Sequence, residues 1–137
     1  MIDSFKNEYR FLSNFHSVEI EQEGVVYPSS EHAYMAMKTT DENLRKEISK
    51  LKTPREAKKF GRKIILRDNW DDLKISYMEE ILKKKFSNPE LKEKLKATGN
   101  QELVEGNTWG DVFWGVCNGI GQNNLGKILM KIRDEIK

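Results

Sequence analysis

All three prolines of this 137-residue chain stand beside helix-start signals, and that punctuation restricts its fold more than any other feature. Thr53-Pro54-Arg55-Glu56 is a capping box with proline at the first helical position, where its missing N–H costs nothing. Asn88-Pro89 reads the same way, with Asn88 as the cap. After Pro28, Ser29 or Ser30 caps a helix running to about Lys38. Further helices are expected at about 41–51, 54–61, 70–86 and 89–97, with Gly61 and Gly99 as C-terminal caps. The last helix is the clearest, because Leu125, Ile128, Leu129, Ile132 and Ile136 follow the i, i+3, i+4, i+7 spacing. Before Pro28 the period changes. Val18 and Ile20 alternate with glutamates, Glu23-Gly24 offers a turn, and Val25-Val26-Tyr27 returns as a strand, so a β-hairpin is expected. Leu103-Val104 is a short strand candidate. The length fits one domain over residues 1–137.

Composition excludes several classes. Hydrophobic residues make up 37% and charged residues 34%, with mean hydropathy −0.73. The apolar residues are periodic rather than diluted, so a core is expected and disorder is not. Apolar runs are as short as Ile64-Ile65-Leu66, too short to span a membrane, and the N-terminal MIDSFKNEYRF has no apolar stretch of the signal-peptide kind. Cys117 is the one cysteine, so no intramolecular disulfide forms, and a reducing, cytoplasmic setting is expected. A net charge of +2 argues against bulk binding of polyanions but allows a local phosphate site. His16 and His32 have no cysteine cluster near them, so no metal is expected. There is no Walker A motif and no dinucleotide fingerprint, so no cofactor is expected either. Lys58-Lys59 and Lys83-Lys84-Lys85 read as solvated helix faces.

The chemistry-bearing candidates fall into two segments. In a helix begun at Ser29 or Ser30, Glu31, Tyr34 and Lys38 share a face, with Glu31 in the first turn where the dipole favours its anion. An acid at the start of a helix and a base at its end also stabilise any helix, so this pattern has a plain structural reading too. Residues 106–126 hold six of the nine glycines, two of the three tryptophans and four asparagines. Glycines beside large aromatics let backbone N–H groups approach a ligand. Within this stretch Asp111 is either a partly desolvated carboxylate or a turn former. Trp70, at a helix start, stacks on a base or anchors the core. Arg62 either clamps a phosphate or makes a surface ion pair.

Taken in order, Phe11-Leu12-Ser13-Asn14-Phe15, Pro28-Ser29-Ser30-Glu31-His32-Ala33-Tyr34 with Lys38, Gly61-Arg62, Asn69-Trp70 and Lys85-Phe86 form a recognisable series. It continues through Leu103-Val104-Glu105, Asp111, Trp114-Gly115, Gly121, Asn123-Asn124-Leu125-Gly126 and Leu129-Met130 with Arg133. The series resembles the NADAR family of NAD- and ADP-ribose-associated proteins, which includes the YbiA-like N-glycosidases. The resemblance implies an α+β, mostly helical domain with a small β-hairpin. It also implies hydrolysis of a C–N bond between ribose and a base, without a cofactor. The substrate is then either a ribosylamino-pyrimidine phosphate of riboflavin biosynthesis or ADP-ribosylated guanine in nucleic acid. By the same resemblance Glu31 is the catalytic carboxylate, Trp70 its aromatic partner, Asp111 the second acid and Lys38 the helix lysine. We take Asn14, Phe15, Tyr34, Arg62, Trp114, Gly115, Gly121 and Asn123 as substrate-binding candidates. Gly110 and Phe113 depart from the family's Asn/Arg-Asp-aromatic-Trp-Gly pattern, which bears on substrate choice. A second reading keeps the pocket without chemistry, as a reader of ADP-ribose or NAD.

Overall fold

The structure is a computed structural model and describes residues 1–136. Its elements are β1 (Ser17–Gln22), β2 (Val25–Ser29), α1 (Ser30–Ala36), α2 (Glu42–Ser49), α3 (Pro54–Gly61), α4 (Trp70–Lys85), α5 (Pro89–Ala97), β3 (Gly106–Asn107), β4 (Val116–Cys117) and α6 (Asn124–Glu135). The class is α+β with helix predominant, as the resemblance implied. The chain divides into two compact units, Asn14–Lys85 and a second made of Met1–Ser13 with Phe86–Lys137.

In the unit Asn14–Lys85, β1 and β2 pair antiparallel with Gln22 opposite Val25. Glu23 and Gly24 take positive φ (49° and 86°), the two-residue turn whose twist suits a hairpin. The chain passes directly from β2 into α1, with the Ser29 side chain accepting the His32 N–H as N-cap. Asp41 and Thr53 cap α2 and α3 in the same way. Each such cap contributes about 1 kcal/mol. All seven residues of α1 are buried, and α2, α3, α4 and both strands pack against it. This packing holds the polar residues of α1 largely out of bulk water and sets the environment of Glu31.

Two expectations for this unit need correction. Gly61 is not a C-terminal cap. It is the last residue of α3, with Arg62 as the cap, and a Cβ there would lie 2.1 Å from Met35 Sδ on α1. The glycine is there so that α3 and α1 can approach closely, not to turn the backbone. Lys85 is not on a solvated face: it is fully buried, and burial pushes its pKa down to about 7. The reason was present in the spacing, since Met78, Ile81, Leu82 and Lys85 lie at i, i+3, i+4 and i+7 on α4.

In the other unit, Asn88 caps α5, and Gly99 follows it at φ 65° as the expected C-terminal glycine. Leu103-Val104 forms no strand of its own. Leu103 makes a single parallel bridge to Ile2, flanked by Ile2 N–H to Glu102 O and Val104 N–H to Ile2 O, both 2.8 Å. The strands here are the two-residue pair β3 and β4, which are parallel. They interrupt the glycine-rich stretch with regular pairing that its composition concealed. Among the described residues no helix is long and apolar enough to cross a membrane.

Candidate active site

The first turn of α1 is tied at both ends. The Glu31 N–H donates to the Asn14 carbonyl at 3.1 Å, and Ser30 Oγ donates to Asn14 Oδ1 at 2.9 Å. Asn14 Nδ2 reaches Met78 Sδ at 3.6 Å. Asn14 therefore satisfies groups that a helix start leaves without intrahelical partners. His32 is locked as well: Nε2 lies 3.0 Å from the Leu51 carbonyl and Nδ1 2.6 Å from Ser29 Oγ. A carbonyl only accepts, so Nε2 carries the proton and Nδ1 accepts the serine hydroxyl. Burial lowers the His32 pKa and keeps this neutral form. With the turn held on either flank, the Glu31 side chain has a defined place at 8% exposure.

Lys38 lies just past the end of α1 and is half-buried. Its pKa is lowered, chiefly by desolvation, with the charge of Glu31 opposing the shift and Arg62, Lys58 and Lys74 adding to it. One carboxylate and three further cations thus act on a single amine. The aromatic side of the site is a ladder. Tyr34 meets Trp70 with centroids 5.4 Å apart and tilted by 46°, and Trp70 stacks on Tyr77 at 6.2 Å and 23°. Trp70 is 5% exposed and packs between Tyr34 and Tyr77. Phe15 is half-buried and Arg62 exposed. This unit gathers Asn14, Glu31, Tyr34, Lys38, Arg62 and Trp70 around α1. Sequence reasoning missed Lys58 and Lys74, because lysines on amphipathic helices give no sign of which neighbour they face.

In the other unit, Asp111 builds a turn. Its Oδ1 accepts the N–H groups of Phe113 at 3.2 Å and Trp114 at 2.9 Å. Asn107 clamps the Asp111 backbone from both sides, accepting its N–H and donating to its carbonyl. Trp114 meets Phe113 edge-on at 4.8 Å. Gly115 and Gly121 serve close internal packing: a Cβ would fall 1.8 Å from Glu105 Oε2 in the first case and 2.1 Å from the Gly115 carbonyl in the second. Asn123 spends its amide within this unit, accepting from Glu105 N–H and donating to the Leu103 carbonyl. No group of three or more His, Cys, Asp or Glu able to hold a metal ion occurs among the described residues.

Comparison with known proteins gives a consistent result. The NADAR domain family matches residues 3–137. The chain is 38% identical to N-glycosidase YbiA of Shigella boydii over 137 residues, covering 97% of this chain and 85% of that protein. It is 37% identical over 131 residues to the riboflavin biosynthesis protein VVA0006 of Vibrio vulnificus, covering 93% of this chain and 35% of that protein. The NMR structure of Escherichia coli YbiA matches with a TM-score of 0.87 at 36% identity, covering 99% of this chain and 84% of that one.

Proposed function

Since this chain belongs to the NADAR domain family, we propose that the buried acid and amine carried by α1, Glu31 and Lys38, form the centre of its chemistry. The chain is an N-glycosidase, the activity named for its relatives along almost its whole length. We take the substrate to be a ribosylamine carrying a phosphate, of the ribosylamino-pyrimidine type, with ADP-ribosylated guanine as the alternative. The kinship with a riboflavin biosynthesis protein supports the first choice. The three cations acting on Lys38 support a phosphorylated sugar. Asp111 keeps its place as second acid on the strength of the resemblance. The single cysteine supports a cytoplasmic setting.

The observation that carries the reading is the withdrawal of Glu31 from water at a helix N-terminus. As the C1′–N bond breaks, its electron pair leaves with nitrogen and positive charge grows on C1′ and the ring oxygen. A fixed carboxylate in a place of low dielectric stabilises that charge. Water adds to C1′ and its proton passes to the departing nitrogen, leaving a free sugar and a free amine. The lowered pKa of Lys38 favours a second route. Its neutral Nζ attacks C1′ of the ring-opened imine, the base leaves as an amine, and water hydrolyses the lysine imine that remains.

Mass spectrometry of the protein incubated with a ribosylamino-pyrimidine phosphate, and separately with an ADP-ribosylated guanine oligonucleotide, tests this reading. Free ribose 5-phosphate in the first arm is expected. Turnover in the second arm alone would move the substrate to nucleic acid. Intact substrate in both arms, with ADP-ribose bound in calorimetry, would make the protein a reader.

A further inference from the structure

The chain leaves α1 through Met37 and Lys38, whose carbonyls are bonded from another segment. The helix is seven residues long and has no basic residue in its last turn. Its final carbonyls, those of Ala33 to Ala36, accept the N–H groups of residues 37 to 39 just beyond the helix, and the Ala36 carbonyl also accepts Arg45 Nε. Residues 37 and 38, which carry the chain away from α1, need donors from elsewhere. Arg67, in the connection between α3 and α4, supplies them. Its backbone N–H donates to the Lys38 carbonyl at 2.8 Å, and Nη1 donates to the Met37 carbonyl at 3.3 Å. The same Nη1 donates to Tyr77 Oη at 3.1 Å, and the guanidinium carbon lies 5.4 Å from the Tyr77 ring centroid. Tyr77 in turn stacks on Trp70.

We propose that Arg67 is a positioning residue for the glycosidase centre: its backbone N–H and Nη1 tie the backbone that carries Lys38 to the Tyr77–Trp70 stack and so fix the amine relative to the indole. This rests on the reading of Glu31 and Lys38 as the centre of the chemistry. A guanidinium suits the task because it can donate to a carbonyl and a phenol at once while stacking on a ring. An ammonium has no such fixed geometry. The charged groups acting on Lys38 are Glu31 on α1, Lys58 on α3, Arg62 at its C-terminal cap and Lys74 on α4. Arg67 reaches this segment through its bonds to the Met37 and Lys38 carbonyls, and placement of the amine is the role assigned to it.

The test compares Arg67→Ala, Arg67→Lys and the wild-type chain by kinetics on the ribosylamino-pyrimidine phosphate and by NMR titration of Lys38 Cε. Misplacing a reacting group by about 1 Å costs about a hundredfold in rate, and a smaller displacement costs less. Arg67→Ala is therefore expected to lose about tenfold in kcat with KM changed less than twofold. Its Lys38 titration should move up toward the ordinary lysine range. Millimolar guanidinium should restore part of the rate, and Arg67→Lys should not. A rise in KM alone would mean that Arg67 binds substrate directly, and would overturn the proposal. So would an unchanged Lys38 titration, or a rate loss that follows lowered thermal stability and resists guanidinium. If the wild type shows no turnover, the glycosidase centre fails, while the Lys38 titration still decides the role of Arg67.

Discussion

Glu31→Gln is expected to lower kcat on the ribosylated substrate by about a thousandfold, within the range for losing a positioned carboxylate. The substitution is nearly isosteric. It leaves the Glu31 N–H bonded to the Asn14 carbonyl, the Ser29 cap on His32, and the packing of a residue only 8% exposed. Near-UV circular dichroism and the unfolding midpoint should therefore stay close to those of the wild type. The amide removes the charge that would meet the cationic sugar and adds a donor where an acceptor is needed. KM should change little, because the loss falls on the transition state rather than on binding. A folded variant within threefold of wild-type kcat would take Glu31 out of the reaction.

The second large effect concerns Lys38. If its amine attacks C1′, Lys38→Met abolishes turnover, and borohydride added during wild-type turnover leaves a protein–sugar adduct of matching mass. Turnover without any adduct would leave the carboxylate-and-water route alone. The pH dependence follows from the sign of the shift. Desolvation lowers the Lys38 pKa, so the reactive neutral amine is populated from a lower pH than for an ordinary lysine. The rate should rise with pH through that lowered value and level off before the usual lysine range. Glu31 is the leading influence that raises this pKa. Removing its charge in Glu31→Gln should then move the rising limb of any residual activity toward acid. A limb that moves toward alkali would contradict the electrostatic pairing of the two residues.

The elements written in local chemistry were readable from the sequence. The turn at Glu23-Gly24, the caps at Ser29, Thr53 and Asn88, and the apolar stripe of α6 depend on residues a few positions apart. All appear where local rules place them. What escaped depends on partners distant in the chain. Gly61 reads as a cap until α1 brings Met35 against it. Leu103 pairs in a single bridge with Ile2, about a hundred residues earlier in the chain, and local pattern does not show such a partner. Lys85 looked solvated because it sits in a lysine run, although its helical spacing already put it with Ile81 and Leu82. For the proposed site, Glu31 and Lys38 could be singled out from residue type and family pattern. Their burial, the cations acting on Lys38 and the work of Arg67 arise from packing around α1 and leave no local trace. Asp111 was open between two readings. Its Oδ1 bonds to Phe113 and Trp114 N–H meet the turn-forming one and leave its chemistry to experiment.

The most direct test of the central claim is to titrate isotope-labelled protein with ribose 5-phosphate and follow side-chain resonances by NMR. The account predicts saturable shifts at the Glu31 carboxylate, the Lys38 amine, the Arg62 guanidinium and the Trp70 indole. Saturable binding that leaves Glu31 and Lys38 unmoved would place the sugar elsewhere and contradict it.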